Sequence, residues 1–276
     1  MHLPPGLDDL PLHRAKLEAA SAFTRTMPGV IGLVVSGSLA TGTADAYSDL
    51  DLKIVTRDDM HGEAIKHLDA LIDACGVPVA CFTAEHVGHP DMLIVLYDDL
   101  IHIDFYPVRL GELTDRNGGM ASWVLWSEDD DISVALGGRV DAAGVDLAWF
   151  EARMWTWVWY THSKILRGEL YEALDALQYL RGNVLFALLA ETAGIRPYGS
   201  RRAERHVGAL GPLFARTVPA LERDLVMDAL RVTVELYLIL ADPLLEQRGV
   251  ERDEDARAVV LAKLQCEPLR SQGEKK

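Results

Sequence analysis

The side chains of this sequence that could do chemistry are concentrated in one stretch near its start. Gly37 and Ser38 come shortly after an apolar run at 30–35, and Asp49 and Asp51 stand at the start of a second apolar run. Side chains alternate between the two faces of a strand, so both aspartates would share a face, about 7 Å apart at roughly 3.3 Å per residue. Paired carboxylates suit Mg²⁺, which completes its shell with water and phosphate oxygens. The pattern predicts a site that handles a nucleoside triphosphate.

Gly37-Ser38 is predicted to form a strand-to-helix turn, with a short helix at 38–41 that ends at Gly42. Glycine allows the backbone to approach a phosphate closely. Ser38 would offer its hydroxyl beside free backbone N–H groups, an arrangement that binds anions. A Gly-Ser pair alone is more typical of a plain turn, and the aspartates that follow favour the functional interpretation.

The complete pattern resembles the nucleotidyltransferase superfamily that includes DNA polymerase β, and in particular its antibiotic-modifying and minimal branches. The resemblance implies a polymerase-β-like fold, two metal ions and nucleotidyl transfer. Specific motifs cover about the first 110 residues, and the remainder is more loosely similar to the helical second domain of aminoglycoside nucleotidyltransferases. The residues that carry the resemblance are Gly37, Ser38, Leu39, Ala40, Gly42, Ala44, Ser48, Asp49, Leu50 and Asp51.

Asp104 is the candidate for a third carboxylate, because in the superfamily such a residue arrives on a strand beside the Asp-x-Asp pair. It lies in an apolar segment at 100–106, where alternation places it on the same face as His102 and Tyr106. Asp104 would complete a metal site with Asp49 and Asp51, or act as the base that takes the acceptor proton. The alternative is a strand residue that simply faces solvent.

The composition is that of a globular protein, with 276 residues, 49% of them hydrophobic and 25% charged. A net charge of -15 argues against an extended nucleic-acid surface and is compatible with a cationic small-molecule substrate. The sequence shows no signal peptide and no long uncharged apolar run, which predicts a cytoplasmic protein without membrane contact. The cysteines, too few and too scattered for a metal centre, agree with a reducing compartment; they are Cys75, Cys81 and Cys266.

The order of apolar patterns predicts an α+β chain with four parts. A mixed sheet with helices forms the nucleotidyltransferase domain at 1–115, and a connecting segment richer in Gly and Asp follows at 116–145. A C-terminal all-α helical bundle is expected at 146–266, with helices that include 169–193 and 200–210. The last residues, 267–276, are predicted to be a disordered tail.

The helical part contributes weaker candidates. In related enzymes the second domain supplies a basic residue to the triphosphate, and Lys164 is the first candidate for it. Glu169 and Glu172 follow it at the start of a helix, where acids are common because of the helix dipole, although a glutamate serves as the base in some relatives. Arg201 and His206 are reminiscent of a ribonuclease motif, and a basic surface patch is the favoured interpretation.

The resemblance therefore implies a Mg²⁺-dependent enzyme that moves AMP from ATP, or another nucleoside monophosphate, to a hydroxyl of a small molecule. The nucleotide is expected in a cleft between the two domains. An aminoglycoside or lincosamide is the first candidate for the acceptor, which would make the activity one of antibiotic resistance. Three alternatives stay open: nucleotidylation of a protein or tRNA, a non-catalytic nucleotide-binding regulator, and a helical-domain ribonuclease.

Overall fold

Runs of β-branched and aliphatic residues form the strands in the first half of the chain. The computed structural model describes residues 2–138, 144–195, 197 and 199–266. Within these residues six strands make one mixed sheet in the order β3-β4-β5-β2-β1-β6. Strands β2 and β5 are parallel, and the other neighbours are antiparallel. The strands are β1 Val30–Ser36, β2 Leu50–Thr56, β3 Pro78–Ala84, β4 His89–Tyr97, β5 His102–Arg109 and β6 Ser122–Ser127.

The larger core of this unit lies on one face of the sheet, and the alternation of β2 decides which face it is. Leu50, Leu52 and Ile54 are fully buried in a core shared with Leu17 and Leu71, which come from two helices. Asp51 and Lys53 therefore lie on the opposite face. The helices of this half are α1 Pro11–Thr24, α2 His61–Ile65, α3 Leu68–Ala74, α4 Leu113–Asn117 and α5 Asp131–Leu136.

The segment at 116–145, predicted as a connection, differs from that expectation over much of its length. It contains β6, which pairs with β1 at the edge of the sheet, and it contains α5. The alternation of Trp123, Leu125 and their neighbours is a strand pattern, but Gly- and Asp-rich stretches on either side hide it in the sequence. Residues 139–143 lie outside the described part of the chain.

The chain divides into two compact units, Met1–Asp141 and Ala142–Lys276. The second unit is built mainly of helices in its described residues, and they surround a core of their own that includes Met154, Trp155 and Tyr237. None of the described helices is apolar over a length that could cross a bilayer. The helices are α6 Leu147–Arg167, α7 Leu170–Tyr179, α8 Phe186–Thr192, α9 Gly211–Arg216, α10 Arg223–Arg248 and α11 Glu254–Cys266.

Three details of the second half differ from or go beyond the sequence prediction. The helix predicted over 169–193 is divided into α7 and α8 by a π-helical segment, Leu180–Leu185. The helix predicted over 200–210 is replaced by two short 3-10 turns, because Gly208 takes a positive φ of 49° that continues no helix. The predicted disordered tail, 267–276, lies outside the described residues.

Candidate active site

Asp51 and Asp104 lie side by side on the face of the sheet that is opposite the larger core. They are register partners on the parallel strands β2 and β5, and Ser36 is the partner of Asp51 on β1. Partners in register share a face, so the two carboxylates project together. Both line one pocket on this face, with an accessible volume of about 120 Å³. The structure thus brings together two of the three predicted carboxylates.

Gly37 lies against Asp51 at the end of β1. Its φ of 73° is in the left-handed region, where a residue with a side chain is strained. A β-carbon added here would stand 2.6 Å from Oδ2 of Asp51. Glycine is therefore required at this position by the backbone and by the neighbouring carboxylate.

Asp49 stands one residue before β2 and is half-buried. The turn that precedes it is held by Asp45, whose carboxylate accepts a hydrogen bond from the backbone N–H of Tyr47 at 2.9 Å. The buried ring of His13 adds a second restraint, since its Nε2 lies 2.8 Å from the carbonyl oxygen of Ser48 and donates to it. The sequence analysis overlooked His13.

The short helix predicted at 38–41 is instead a series of turns. The Thr41 hydroxyl donates to the carbonyl oxygen of Ser38 at 3.0 Å, and Gly42 takes a φ of 66°. A hydroxyl bonded to a carbonyl three residues earlier, followed by left-handed glycine, ends the helical path after one turn. Ser38 is buried beside Gly37, and its predicted contact with phosphate stays a prediction.

His102 lies beside Asp104 on β5. Its Nε2 is 2.9 Å from Oδ1 of Asp104, and both atoms are buried. The pKa of His102 is raised, first by this close contact and further by the charges of Asp104, Asp49 and Asp51, while burial opposes the rise. The three predicted carboxylates therefore act electrostatically on the same imidazole.

The residues present fit a divalent cation in their chemistry. Asp51 and Asp104 supply hard oxygen donors in adjacent register, which is the donor type that Mg²⁺ prefers. Within those same residues no group of three or more His, Cys, Asp or Glu side chains is already gathered for a metal. Asp49 is the predicted ligand that does not line the pocket of the other two.

Two cations line the pocket beside the aspartates, and the sequence analysis assigned neither. Lys53 follows Asp51 on the same face of β2 and is only 2% exposed. Arg116 comes from α4, in the segment predicted as a connection. The strand alternation that placed Asp51 could have found Lys53, but no local signal places Arg116 here.

Lys164, the predicted basic contact for the triphosphate, belongs to the helical unit. Its ammonium lies 2.8 Å from a carboxylate oxygen of Glu169 and 3.0 Å from one of Glu172. Hydrogen bonds with these two acids raise its pKa. Glu172 also accepts a hydrogen bond from Tyr160, so the two acids predicted to open this helix form a paired cluster with Lys164.

Comparison with known proteins bears directly on the first unit. Residues 17–98 match the family model of the nucleotidyltransferase domain, a range that contains Gly37, Ser38, Asp49 and Asp51 and ends before Asp104. No curated protein matches the chain.

The solved structures that are similar to the chain include the following three. An aminoglycoside 6-adenyltransferase from Bacillus subtilis is 14% identical with a TM-score of 0.41, over 91% of this chain and 97% of that one. A nucleotidyltransferase-like protein from Exiguobacterium sibiricum 255-15 is 13% identical with a TM-score of 0.38, over 91% and 88%. A STING-associated CdnE c-di-GMP synthase from Capnocytophaga granulosa is 11% identical with a TM-score of 0.28, over 85% and 82%.

The fold and the family match define the class of protein. The chain contains a nucleotidyltransferase domain of the polymerase-β-like kind, and the α+β fold predicted from the sequence is confirmed. It is a transferase of nucleotidyl groups, as the resemblance carried by Gly37-Ser38 and Asp49-Leu50-Asp51 implied.

Proposed function

We propose that this protein transfers AMP from ATP to a hydroxyl group of a small molecule in a Mg²⁺-dependent reaction and releases pyrophosphate. The observation that carries the proposal is the register of Asp51 and Asp104 on adjacent parallel strands, with Gly37 packed against Asp51. Paired carboxylates beside a glycine turn suit the handling of a polyphosphate.

The reaction is an in-line displacement at phosphorus. The oxygen of the acceptor hydroxyl forms a bond to the α-phosphorus while the bond from that phosphorus to the β-bridging oxygen breaks, and pyrophosphate leaves with the electron pair. The hydroxyl proton passes to a base, for which Asp104 is our candidate and a glutamate of the helical unit is the alternative. Positioning and electrostatics supply most of the catalysis.

Asp49, Asp51 and Asp104 are the proposed ligands of two Mg²⁺ ions. Bound Mg²⁺ would polarise the acceptor hydroxyl and stabilise the charge that develops on the pyrophosphate. Gly37 and Ser38 are proposed to receive the β- and γ-phosphates at the turn after β1. Lys164 is proposed as a basic contact from the helical unit, in exchange for its present contacts with two glutamates.

For the acceptor we propose an aminoglycoside or a lincosamide, and therefore a role in antibiotic resistance in the cytoplasm. The net charge of -15 favours a cationic acceptor such as an aminoglycoside. Nucleotidylation of a protein or tRNA is the second candidate, since it would use the same carboxylates.

The test is pyrophosphate release from ATP and Mg²⁺ across a panel of aminoglycosides and lincosamides, with Asp51→Asn as the matched control. Release that requires one drug and disappears in Asp51→Asn is the expected result. Absence of release with every drug, from protein that binds Mg²⁺·ATP, would contradict the proposed acceptors and direct the search to proteins and RNA.

A further inference from the structure

The pocket beside the two aspartates has a basic side as well as an acidic one. Asp51 and Asp104 line it together with Lys53 from β2, Tyr106 from β5 and Arg116 from α4. Acidic side chains outnumber Lys and Arg by 42 to 27 in this chain, so cations are the scarcer charge. Lys53 and Arg116 both line this small pocket. The proposed role of Asp51 and Asp104 as magnesium ligands does not by itself require two cations there.

Lys53 is a cation held in a nearly dry position. Its ammonium donates to the Ser36 hydroxyl at 2.5 Å, which is one of the three hydrogen bonds that an ammonium can make. Ser36 lies 3.0 Å from the hydroxyl of Ser122, which donates to Asn117 at 2.8 Å. This polar chain fixes the ammonium beside the pocket. Burial lowers the pKa of Lys53 to about 8, and the charge of Asp51 opposes that shift.

Arg116 is held loosely by its neighbours. Its Nε is 3.9 Å from a carboxylate oxygen of Glu112, near the limit for an ion pair, and its guanidinium carbon is 5.8 Å from the centre of the Tyr106 ring. Its planar fork of N–H donors is therefore available to an anion.

Tyr106 adds a further indication of a ligand. Its hydroxyl oxygen is buried and makes no hydrogen bond of full geometry among the residues that the structure describes, and Arg116 lies close enough to oppose the rise that burial causes in its pKa. A buried polar group without a partner costs free energy, so such groups in native proteins usually have a ligand, ion or water beside them. The ring borders the same pocket as both cations.

We propose that Lys53, Tyr106 and Arg116 form a phosphate-binding wall, which takes a phosphate group of the nucleotide opposite Asp51 and Asp104. The inference rests on the proposed nucleotidyl transfer and adds nucleotide-binding residues to it. Arginine binds phosphate through two parallel, charge-assisted hydrogen bonds, and the tyrosine hydroxyl and the lysine can donate to further oxygens. Carboxylates on one side attract the cation of a Mg²⁺·nucleotide, and the basic wall attracts its phosphates.

The test compares Arg116→Ala and Arg116→Lys with a matched control, Arg109→Ala. Arg109 has the same exposure (42% against 41%), bonds to the same Glu112 at 3.3 Å, and does not line the pocket. We expect the Kd of Mg²⁺·ATP and the KM for ATP to rise about 10-fold or more in Arg116→Ala, the loss expected for charge-assisted hydrogen bonds. Arg116→Lys should recover part of this loss, and Arg109→Ala should stay within about twofold of wild type.

The inhibition constant of pyrophosphate should rise in parallel with the KM for ATP, while the KM for the acceptor stays unchanged. Lys53→Met, checked for folding by circular dichroism, should act in the same direction. Equal ATP affinity in Arg116→Ala and Arg109→Ala would contradict the proposed phosphate-binding wall. A change in Arg116→Ala that is confined to the KM for the acceptor would contradict it as well. Equilibrium binding of Mg²⁺·ATP tests the phosphate-binding wall independently of turnover. If the wild-type protein releases no pyrophosphate but binds Mg²⁺·ATP, only the proposed reaction is contradicted. Wild-type protein that binds no Mg²⁺·ATP would overturn both.

Discussion

Replacement of Gly37 by alanine tests two requirements of this position. The backbone must take a left-handed φ, and no side-chain atom can stand beside Asp51. The φ of 73° costs a residue with a β-carbon about 1–2 kcal/mol of unfolding free energy. The new β-carbon would also stand 2.6 Å from Oδ2 of Asp51, whereas ordinary contact begins at 3.4 Å, so a displacement of about 0.8 Å is needed.

The residue that must move is Asp51, a proposed metal ligand. A misplacement of about 1 Å in a catalytic group can lower the rate about 100-fold. We therefore expect kcat for pyrophosphate release to fall about 100-fold in Gly37→Ala. Urea unfolding measures the stability cost of the same variant.

Gly42→Ala is the matched control for this experiment. Gly42 lies in the same turn with a φ of 66°, but the nearest atom to an added β-carbon is Cγ of Pro5, at an ordinary 3.7 Å. The two variants should lose similar stability, and only Gly37→Ala should lose activity on this scale. If Gly37→Ala retained a kcat close to that of Gly42→Ala, the contact between Gly37 and Asp51 would have no role in catalysis, and the reasoning would be refuted.

Three further predictions follow from single contacts. Asp104→Asn should lower kcat about 100-fold or more with little change in melting temperature, because it removes a charge aimed into the pocket; an active variant would exclude Asp104 as ligand and base. His13→Ala should lower kcat about 10-fold, since it frees the carbonyl of Ser48, and His13→Gln, which keeps an N–H donor, should recover part of it. Tyr237→Phe should cost about 1.5–3 kcal/mol of unfolding free energy in urea, because its hydroxyl donates to the buried carboxylate of Glu151 at 2.5 Å.

Local patterns were sufficient to predict the acidic part of the candidate site. The alternation of β2 placed Asp51 on the face opposite Leu50 and Leu52, and the same argument placed Asp104 on its own strand. The parallel register that joins the two strands is a long-range property, and the sequence analysis had it only through the resemblance to a family.

The parts that the sequence did not predict depend on contacts between distant segments. His13 reaches the turn before β2 from α1, and Arg116 enters the pocket from α4, a segment interpreted as a connection. The turn after Gly37 is no helix, because the Thr41 hydroxyl competes for backbone carbonyls. In the second unit the π-helical segment Leu180–Leu185 interrupts a pattern that was helical throughout.

The central claim is that the protein transfers a nucleotidyl group from ATP to an acceptor. The most direct test uses ATP that carries ³²P at either the α- or the γ-phosphate, incubated with Mg²⁺ and the acceptor panel, and follows where each label goes. Nucleotidyl transfer predicts that the α-label enters the acceptor product, that the γ-label leaves in pyrophosphate, and that both events disappear in Asp51→Asn. Transfer of the γ-label to the acceptor, or α-label transfer that persists in Asp51→Asn, would contradict the account.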